Sequence, residues 1–448
     1  MFGTATWSQL NANVALILVF NLLWSATRTL WETGNISALI FLLEDRHKSY
    51  VGFAASVEGI TQLVVAIPGG MLADRWRRDT VLRLAACLSV ASLLFTAYAV
   101  HACDLTLVYM AMAAWGASYA LNDAPMEALF ADSTPTGLRA DIFVAKFVLM
   151  QVGRGIGSAV IALLFLVFGD VWEIHELQQV LYVGLALTVI PAVMQAFVSD
   201  DRSLNAESEA TLSAGSVPLL SAGTKGHSNI VDPPRLDRWV VTFVPATLAI
   251  SDLMTALGAG ATVKFFPLFF IEEFDMKPVE IGVIFAITPF ACSLSSLGSA
   301  WVARRFGRIN AIIIAHMTGT VLLVVFAACT TVRIDHGREV TLAVFVFILR
   351  AATMNSFKPL KRSVLMDIIP KKSRGTWNSL ESVTIFSWTG SAAIGGIVVD
   401  QWGYRTCFLA TAALYAISCL PIMALSYWNL DRHLDISKPA AADPIAEP

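Results

Sequence analysis

Arg28 and Glu32 stand four residues apart in an otherwise apolar run, close to Trp24 and Trp31, so a helix there would carry both charges on one face. Glu58 interrupts the second apolar run; Asn122, Asp123 and Glu127 interrupt the fourth; Arg154 interrupts the fifth, inside Gly153-Arg154-Gly155-Ile156-Gly157. The second half of the chain offers Asp252, Lys264, Arg350, Asn355, Lys358, Lys361, Arg362 and Glu381. Acids predominate in the first set and bases in the second. Near the centre of a bilayer each such charge costs at least about 2.5–3.5 kcal/mol on insertion scales, so each is expected to face other helices and to have a partner or a task. Proton binding and release is the chemistry that acids beside arginines perform, because loss of water favours the neutral acid and a neighbouring guanidinium favours the carboxylate. The competing expectation is a set of static ion pairs, Arg28 with Glu32 or Arg154 with Asp123, that lock helix packing. Lys361 and Arg362 are expected to snorkel to the headgroups.

Other chemistries find no footing. The six cysteines are scattered singly and His101, His175, His316 and His336 lie far apart, so no metal centre, cofactor or catalytic group is expected. No GxxxxGK[ST] phosphate loop marks a nucleotide-driven pump, and no repeated filter segment marks a channel. A net charge of −3 gives no basic excess for nucleic acid.

The elements that must position these charges follow from composition. The chain has 448 residues, 56% hydrophobic and only 15% charged, where soluble domains carry about 25% charged residues. Its mean hydropathy is +0.65. Twelve stretches suit membrane-spanning helices of roughly 20 residues or more: 13–43, 51–73, 80–100, 105–131, 142–168, 180–198, 239–271, 279–303, 309–331, 340–366, 376–399 and 406–428. No basic region precedes the first, so no cleaved signal peptide is expected. Residues 199–238 and 429–448 are too polar to bury a core and read as a flexible linker and a disordered tail, leaving six-helix halves at 1–198 and 239–428. Basic residues gather in one set of loops, at Arg75, Arg77, Arg78, Arg139, Arg304, Arg305, Arg308, Lys371, Lys372 and Arg374, while acids prevail in the opposite set. That asymmetry places both termini and the linker in the cytoplasm of a multi-pass membrane protein.

The halves repeat. A shift of about 230 residues superposes Gly70-Met-Leu-Ala-Asp74-Arg75-Trp-Arg77-Arg78 on Ala300-Trp-Val-Ala-Arg304-Arg305-Phe-Gly307-Arg308, and one of 235 sets Asp132-Ser-Thr-Pro135 against Asp367-Ile-Ile-Pro370. Both matches fall at corresponding span ends, the mark of a duplicated six-span unit. On Gly70, Asp74, Arg75, Arg77 and Arg78 the chain resembles the major facilitator superfamily, whose signature after the second span is Gly-x3-Asp-Arg/Lys-x-Gly-x-Arg/Lys-Arg/Lys. The second glycine is missing here, the basic pair arrives early, and the second copy has Arg304 where the acid would be.

The resemblance implies an all-α membrane protein with twelve transmembrane helices in two six-helix pseudo-repeats. It implies secondary active transport of a small organic solute by alternating access, proton-coupled, at a central site between the halves. Spans one, four, seven and ten line that site in the superfamily. The implied solute-binding residues are Arg28, Asp123, Arg154, Asp252, Arg350, Asn355 and Lys358, with Glu32, Asp123 and Glu127 as the pool for proton coupling. Arg350 and Lys358, eight apart, are expected to share a face and, with Arg28 and Arg154, favour an anionic or zwitterionic solute. Gly70, Asp74, Arg75, Arg77, Arg78 and Arg139 form the implied gating motif: the glycine permits close helix approach, the arginines anchor the loop in headgroups, and Asp74 latches onto Arg139 or the start of the eleventh span. Topology alone would also explain so basic a loop. The expected partners are solute, protons and lipid, with the protein a monomer and no nucleic acid bound. The alternative from another class is a transport-inactive receptor or scaffold of the same fold.

Overall fold

The computed structural model describes residues 11–134, 139–204, 238–329, 336–358, 360–361, 364, 368 and 374–427. Most of the expected linker, the whole of the expected tail, and the side chains of Asp74, Arg139, Arg362 and Glu381 lie outside the described residues.

Among the described residues every regular element is helical. In chain order these are α1 (Ala12–Trp31), a π-helical turn (Glu32–Ile36), α2 (Ser37–Leu43), α3 (Lys48–Arg75), α4 (Arg78–Ala102), α5 (Leu105–Asp132), α6 (Arg139–Phe168) and α7 (Ile174–Met194). After two short 3-10 turns follow α8 (Arg238–Val263), α9 (Phe266–Phe274), α10 (Pro278–Phe306), α11 (Arg308–Cys329), α12 (His336–Ser356) and α13 (Arg374–Tyr427). Among the described residues ten stretches are long and apolar enough to cross a membrane. The last of them, Val383–Tyr427, is 45 residues long and breaks at Gly403, where φ is +80°. The 28-residue α5, more polar through Asn122, Asp123 and Glu127, adds another helix of spanning length. The fold is consistent with twelve spans.

Two spans are broken in their second halves. In the first, the α-helix gives way to a π turn at Glu32–Ile36, and Gly34 adopts φ +115°, a conformation closed to side-chain-bearing residues. The Asn35 amide donates to the Leu30 carbonyl at 2.6 Å, satisfying a backbone acceptor in the altered turn. In the seventh, α8 stops at Val263, Lys264 and Phe265 form a turn, and Pro267 opens α9. Gly34 and Pro267 are 233 residues apart, between the two repeat offsets of about 230 and 235.

The contacts divide the chain into two compact units: Met1–Gly223 with Ala259–Phe290 and Ile385–Cys407, and Thr224–Gly258 with Ala291–Thr384 and Phe408–Pro448. In the first unit α3 packs on α5, α1 on α6 and α7, and α4 on α5 and α7. One core there joins Val14, Ile17 and Leu18 of α1 to Met126, Leu129 and Phe130 of α5. In the second unit α11 packs on α12.

Small residues make the close crossings of the first unit. A Cβ on Gly153 or Gly157 would run into the carbonyls of Leu22 or Ala26, and one on Gly116 into that of Glu58. The glycine run of the fifth span is thus the crossing of α6 with α1. Gly70 corrects an expectation, because a Cβ there would meet nothing within 4 Å. Gly157→Val should therefore destabilise the protein by about 1–3 kcal/mol through overpacking, whereas Gly70→Ala should be neutral or gain up to about 1 kcal/mol of helix propensity. Thermal unfolding in detergent checks both; equal melting points would contradict the assigned crossing.

Candidate functional site

The two breaks meet inside the first unit. A Cβ on Gly34 would lie 3.8 Å from Pro267 Cγ, which brings the turn carrying Glu32 beside the turn carrying Lys264. Discontinuous spans at corresponding places in two repeats are where transporters of this architecture build their sites, because the freed backbone needs a polar surrounding.

Four charges converge there. Arg28 donates from Nε to Glu32 Oε2 and from Nη2 to Glu32 Oε1 at 2.9 Å, a bidentate pair. Its Nη2 also lies 3.4 Å from Glu58 Oε1. Lys264 Nζ stands 3.6 Å from Glu32 Oε1, and the Tyr119 hydroxyl donates to Glu32 Oε2 at 3.0 Å. Glu32 and Glu58 are buried, with side chains 6% and 5% exposed. Aromatic rings wall the cluster: the Arg28 guanidinium lies 4.2 Å over Tyr119, and Trp31 stacks on Trp115 at 4.9 Å. The Lys264 ammonium lies 5.8 Å from the Trp388 ring. The sequence named Arg28 and Glu32 for this site. It missed Tyr119, and it noted Glu58 and Lys264 without placing them.

The other expected acids lie elsewhere. Asp123 is exposed and accepts from Gln62 and Asn122, each at 3.2 Å. Exposed Glu127 pairs with Lys146 of α6, a base that sequence reading passed over because it sits near a span end. Arg154 is exposed and donates to Gln151 at 3.2 Å.

The second unit holds a separate polar cluster. Lys361 is 5% exposed and donates to Ser251 Oγ at 3.2 Å and Asp252 Oδ1 at 2.5 Å. The expected snorkelling of Lys361 is therefore wrong: a carboxylate one helix away outbids the headgroups. Buried Arg350 donates to the Tyr415 hydroxyl at 3.4 Å, while Lys358 is exposed. The two do not share an environment: Arg350 lies buried within α12, while Lys358 is exposed beyond the turn at Phe357 that follows it. The Asn355 amide donates to the Ala351 carbonyl at 2.8 Å.

At the basic end of the first unit, Arg77 pairs with Asp79 at 3.1 Å and Asp201 at 2.8 Å, and Arg78 pairs with Asp132. The Arg78 backbone N–H donates to Asp200 Oδ2 at 2.8 Å. These two arginines thus bind carboxylates, and Arg75 is exposed. The Arg77 hydrogen bond and charge hold the Asp201 carboxyl below the usual carboxylate range. Residues 199–204, expected as the start of the linker, are tied to the body: Asn13 Nδ2 donates to the Ser199 carbonyl at 2.7 Å.

At the acidic end a seam joins α3 to α13. The Asp400 carboxylate accepts from the backbone N–H groups of Lys48 and Ser49, both at 2.8 Å, capping the start of α3. Lys48 Nζ lies 3.0 Å from Glu272, whose Oε2 also accepts from the Tyr404 hydroxyl at 2.6 Å. Further along, Ser56 Oγ donates to the Gly390 carbonyl at 3.0 Å and accepts from the Ala393 N–H at 3.1 Å. Gly52 lies against the Ala392 carbonyl with no room for a Cβ. No sequence motif announced Asp400.

The Major Facilitator Superfamily profile matches residues 22–380 and 248–446. A Deinococcus radiodurans protein named as a sugar efflux transporter is 24% identical over 178 residues, which are 39% of this chain and 44% of that relative, less than half its length. Among solved structures, a bacterial homologue of the human lysosomal transporter Spinster superposes with a TM-score of 0.65 at 13% identity, covering 96% of this chain and 98% of that one. The nucleoside transporter NupG superposes with a TM-score of 0.61 at 15% identity, over 93% and 99% of the two chains. At such identities the likeness is one of fold.

Proposed function

Since the chain belongs to the Major Facilitator Superfamily, a family of multi-pass membrane transporters, we propose that it moves a small organic solute by alternating access, coupled to protons, rather than catalysing a reaction. The observation that carries this reading is the Arg28–Glu32–Glu58–Lys264 cluster at the paired breaks of the first and seventh spans. Those residues come from both six-helix halves, 1–198 and 239–428, so a solute bound there would touch both. The seam under Asp400 supplies the second requirement, a closure made of bonds that can break singly. The basic loops support an orientation with the sealed end outside and both termini in the cytoplasm.

Each base of the cluster already faces a carboxylate. That balance favours a zwitterionic solute, or one whose charge arrives with a proton, because an uncompensated charge would be costly in so buried a site. The name of the Deinococcus radiodurans relative and that of NupG add sugars and nucleosides to the solutes worth testing.

The test is transport by the purified protein in sealed vesicles, with radiolabelled sugars, nucleosides, amino acids and organic acids and an imposed pH step. The expected result is accumulation of one solute class that follows the pH step and collapses with a protonophore. Solute movement indifferent to pH would reduce the protein to a uniporter, and ligand binding without movement would favour the receptor reading.

A further inference from the structure

The four charges of the cluster are unequally satisfied. Glu32 receives both nitrogens of a bidentate Arg28, the Tyr119 hydroxyl at 3.0 Å and the Lys264 ammonium at 3.6 Å. Glu58 receives one long contact, 3.4 Å from Arg28 to Oε1, and among the described residues nothing donates to its Oε2. The two acids are equally buried. A narrow cleft opens beside Glu58, lined by Glu32, Lys264 and Ser37 and by apolar side chains such as Ile40 and Met112.

Burial without donors is the condition under which a carboxylate is most costly to keep ionised. Protonating Glu32 would strand Arg28 and Lys264 and waste four contacts. Protonating Glu58 forfeits one weak contact. The groups facing Glu58 are Arg28 and Glu32 from the first span, Tyr119 from α5 and Lys264 from the turn before α9, while the neighbour on α13 is the neutral Thr389 against Gly59. None of these offers Oε2 a fixed donor, so water in the cleft is its source of protons.

We propose that Glu58 is the proton-carrying acid of this transporter, outside the pool of Glu32, Asp123 and Glu127. This rests on the proton-coupled reading and sharpens it. A hydronium ion in the cleft delivers a proton to Glu58 Oε2, one O–H bond forms and a water molecule is released; the reverse step returns the proton to whichever side the cleft faces. With Glu58 ionised the cluster holds two positive and two negative charges. With Glu58 protonated it holds a surplus positive charge shared by Arg28 and Lys264. That surplus is a site for an anionic group of the solute, so proton and anionic group load together and leave together.

The probe is the proton itself, read in vesicles by infrared difference spectroscopy on going from alkaline to acidic buffer. Wild type is expected to gain a buried carboxylic-acid C=O band that Glu58→Gln lacks entirely. Should Glu58→Gln fail to fold, Glu58→Asp carries the same test: the band shifts in frequency when residue 58 is its source and stays put when it is not. A band that persists unchanged in the position-58 variants overturns the assignment. The failure of the wider reading looks different. pH-driven accumulation by wild type without a Glu58 band sinks this inference alone, and a Glu58 band in a protein whose transport ignores pH sinks proton coupling.

Discussion

Arg28→Gln is expected to lower stability by about 3–5 kcal/mol, the usual cost of stranding a buried charge. The Arg28 side chain is 33% exposed, which pulls the expectation to the lower end of that range. Two features hold it there rather than near the 0–1 kcal/mol of a surface pair. Arg28 is the bidentate partner of Glu32 and, among the described residues, the only base within ion-pair distance of Glu58, so its loss weakens the pairing of both acids at once. Arg28→Lys should recover little, since a point ammonium cannot serve two oxygens of Glu32 and reach Glu58. The double variant Arg28→Gln/Glu32→Gln should regain much of the lost stability, because it removes the acid along with its partner. Thermal and denaturant unfolding in detergent read all three. A double-variant loss equal to the sum of the Arg28→Gln and Glu32→Gln losses would show that the pair is not energetically coupled.

The second large effect is expected at the acidic end. Asp400→Ala removes two charge-assisted bonds from the Lys48 and Ser49 N–H groups, each contributing about 1.5–3 kcal/mol when its acceptor is ionised. In an opened seam water replaces them, so the loss falls on the closed state alone. Even one such bond would shift the ratio of open to closed molecules roughly tenfold to a hundredfold, at about 1.4 kcal/mol per tenfold. A cysteine at Ser56, 7% exposed and bonded across the seam, reports that ratio. Its labelling by a membrane-impermeant maleimide should accelerate by the same factor in the Asp400→Ala protein. An unchanged rate would remove Asp400 from the closure.

The family and the spans were legible because they are written in long-range composition: apolar runs, loop charge and a repeat near 230 residues. The Arg28–Glu32 pair was legible because helical spacing alone brings it together. Glu58, Lys264 and Tyr119 were not, since they join the pair only through helix crossings, and those are set by Gly116 meeting α3 and Gly34 meeting Pro267. The breaks were nonetheless signalled. Gly34 and Pro267 interrupt corresponding spans, a pattern that marks sites in repeat-built transporters. Lys361 misled for the opposite reason: its sequence position suited snorkelling, but Asp252 lay within reach on another helix. Asp400 had no local signal, as its partners are backbone groups some 350 residues away.

The claim that these parts form one alternating machine is tested most directly by spin labels at the exposed positions His47 and Gln401, on either side of the acidic-end seam. The background lacks Cys87 and Cys103, the cysteines not fully buried. Pulsed electron resonance in vesicles would read the distance between the labels at alkaline and acidic pH. The account predicts two populations, a short distance from the closed seam and a longer one, with their ratio moved by pH, raised towards the long form by Asp400→Ala and made insensitive to pH by Glu58→Gln. A single short distance that neither pH nor Asp400→Ala alters would contradict it.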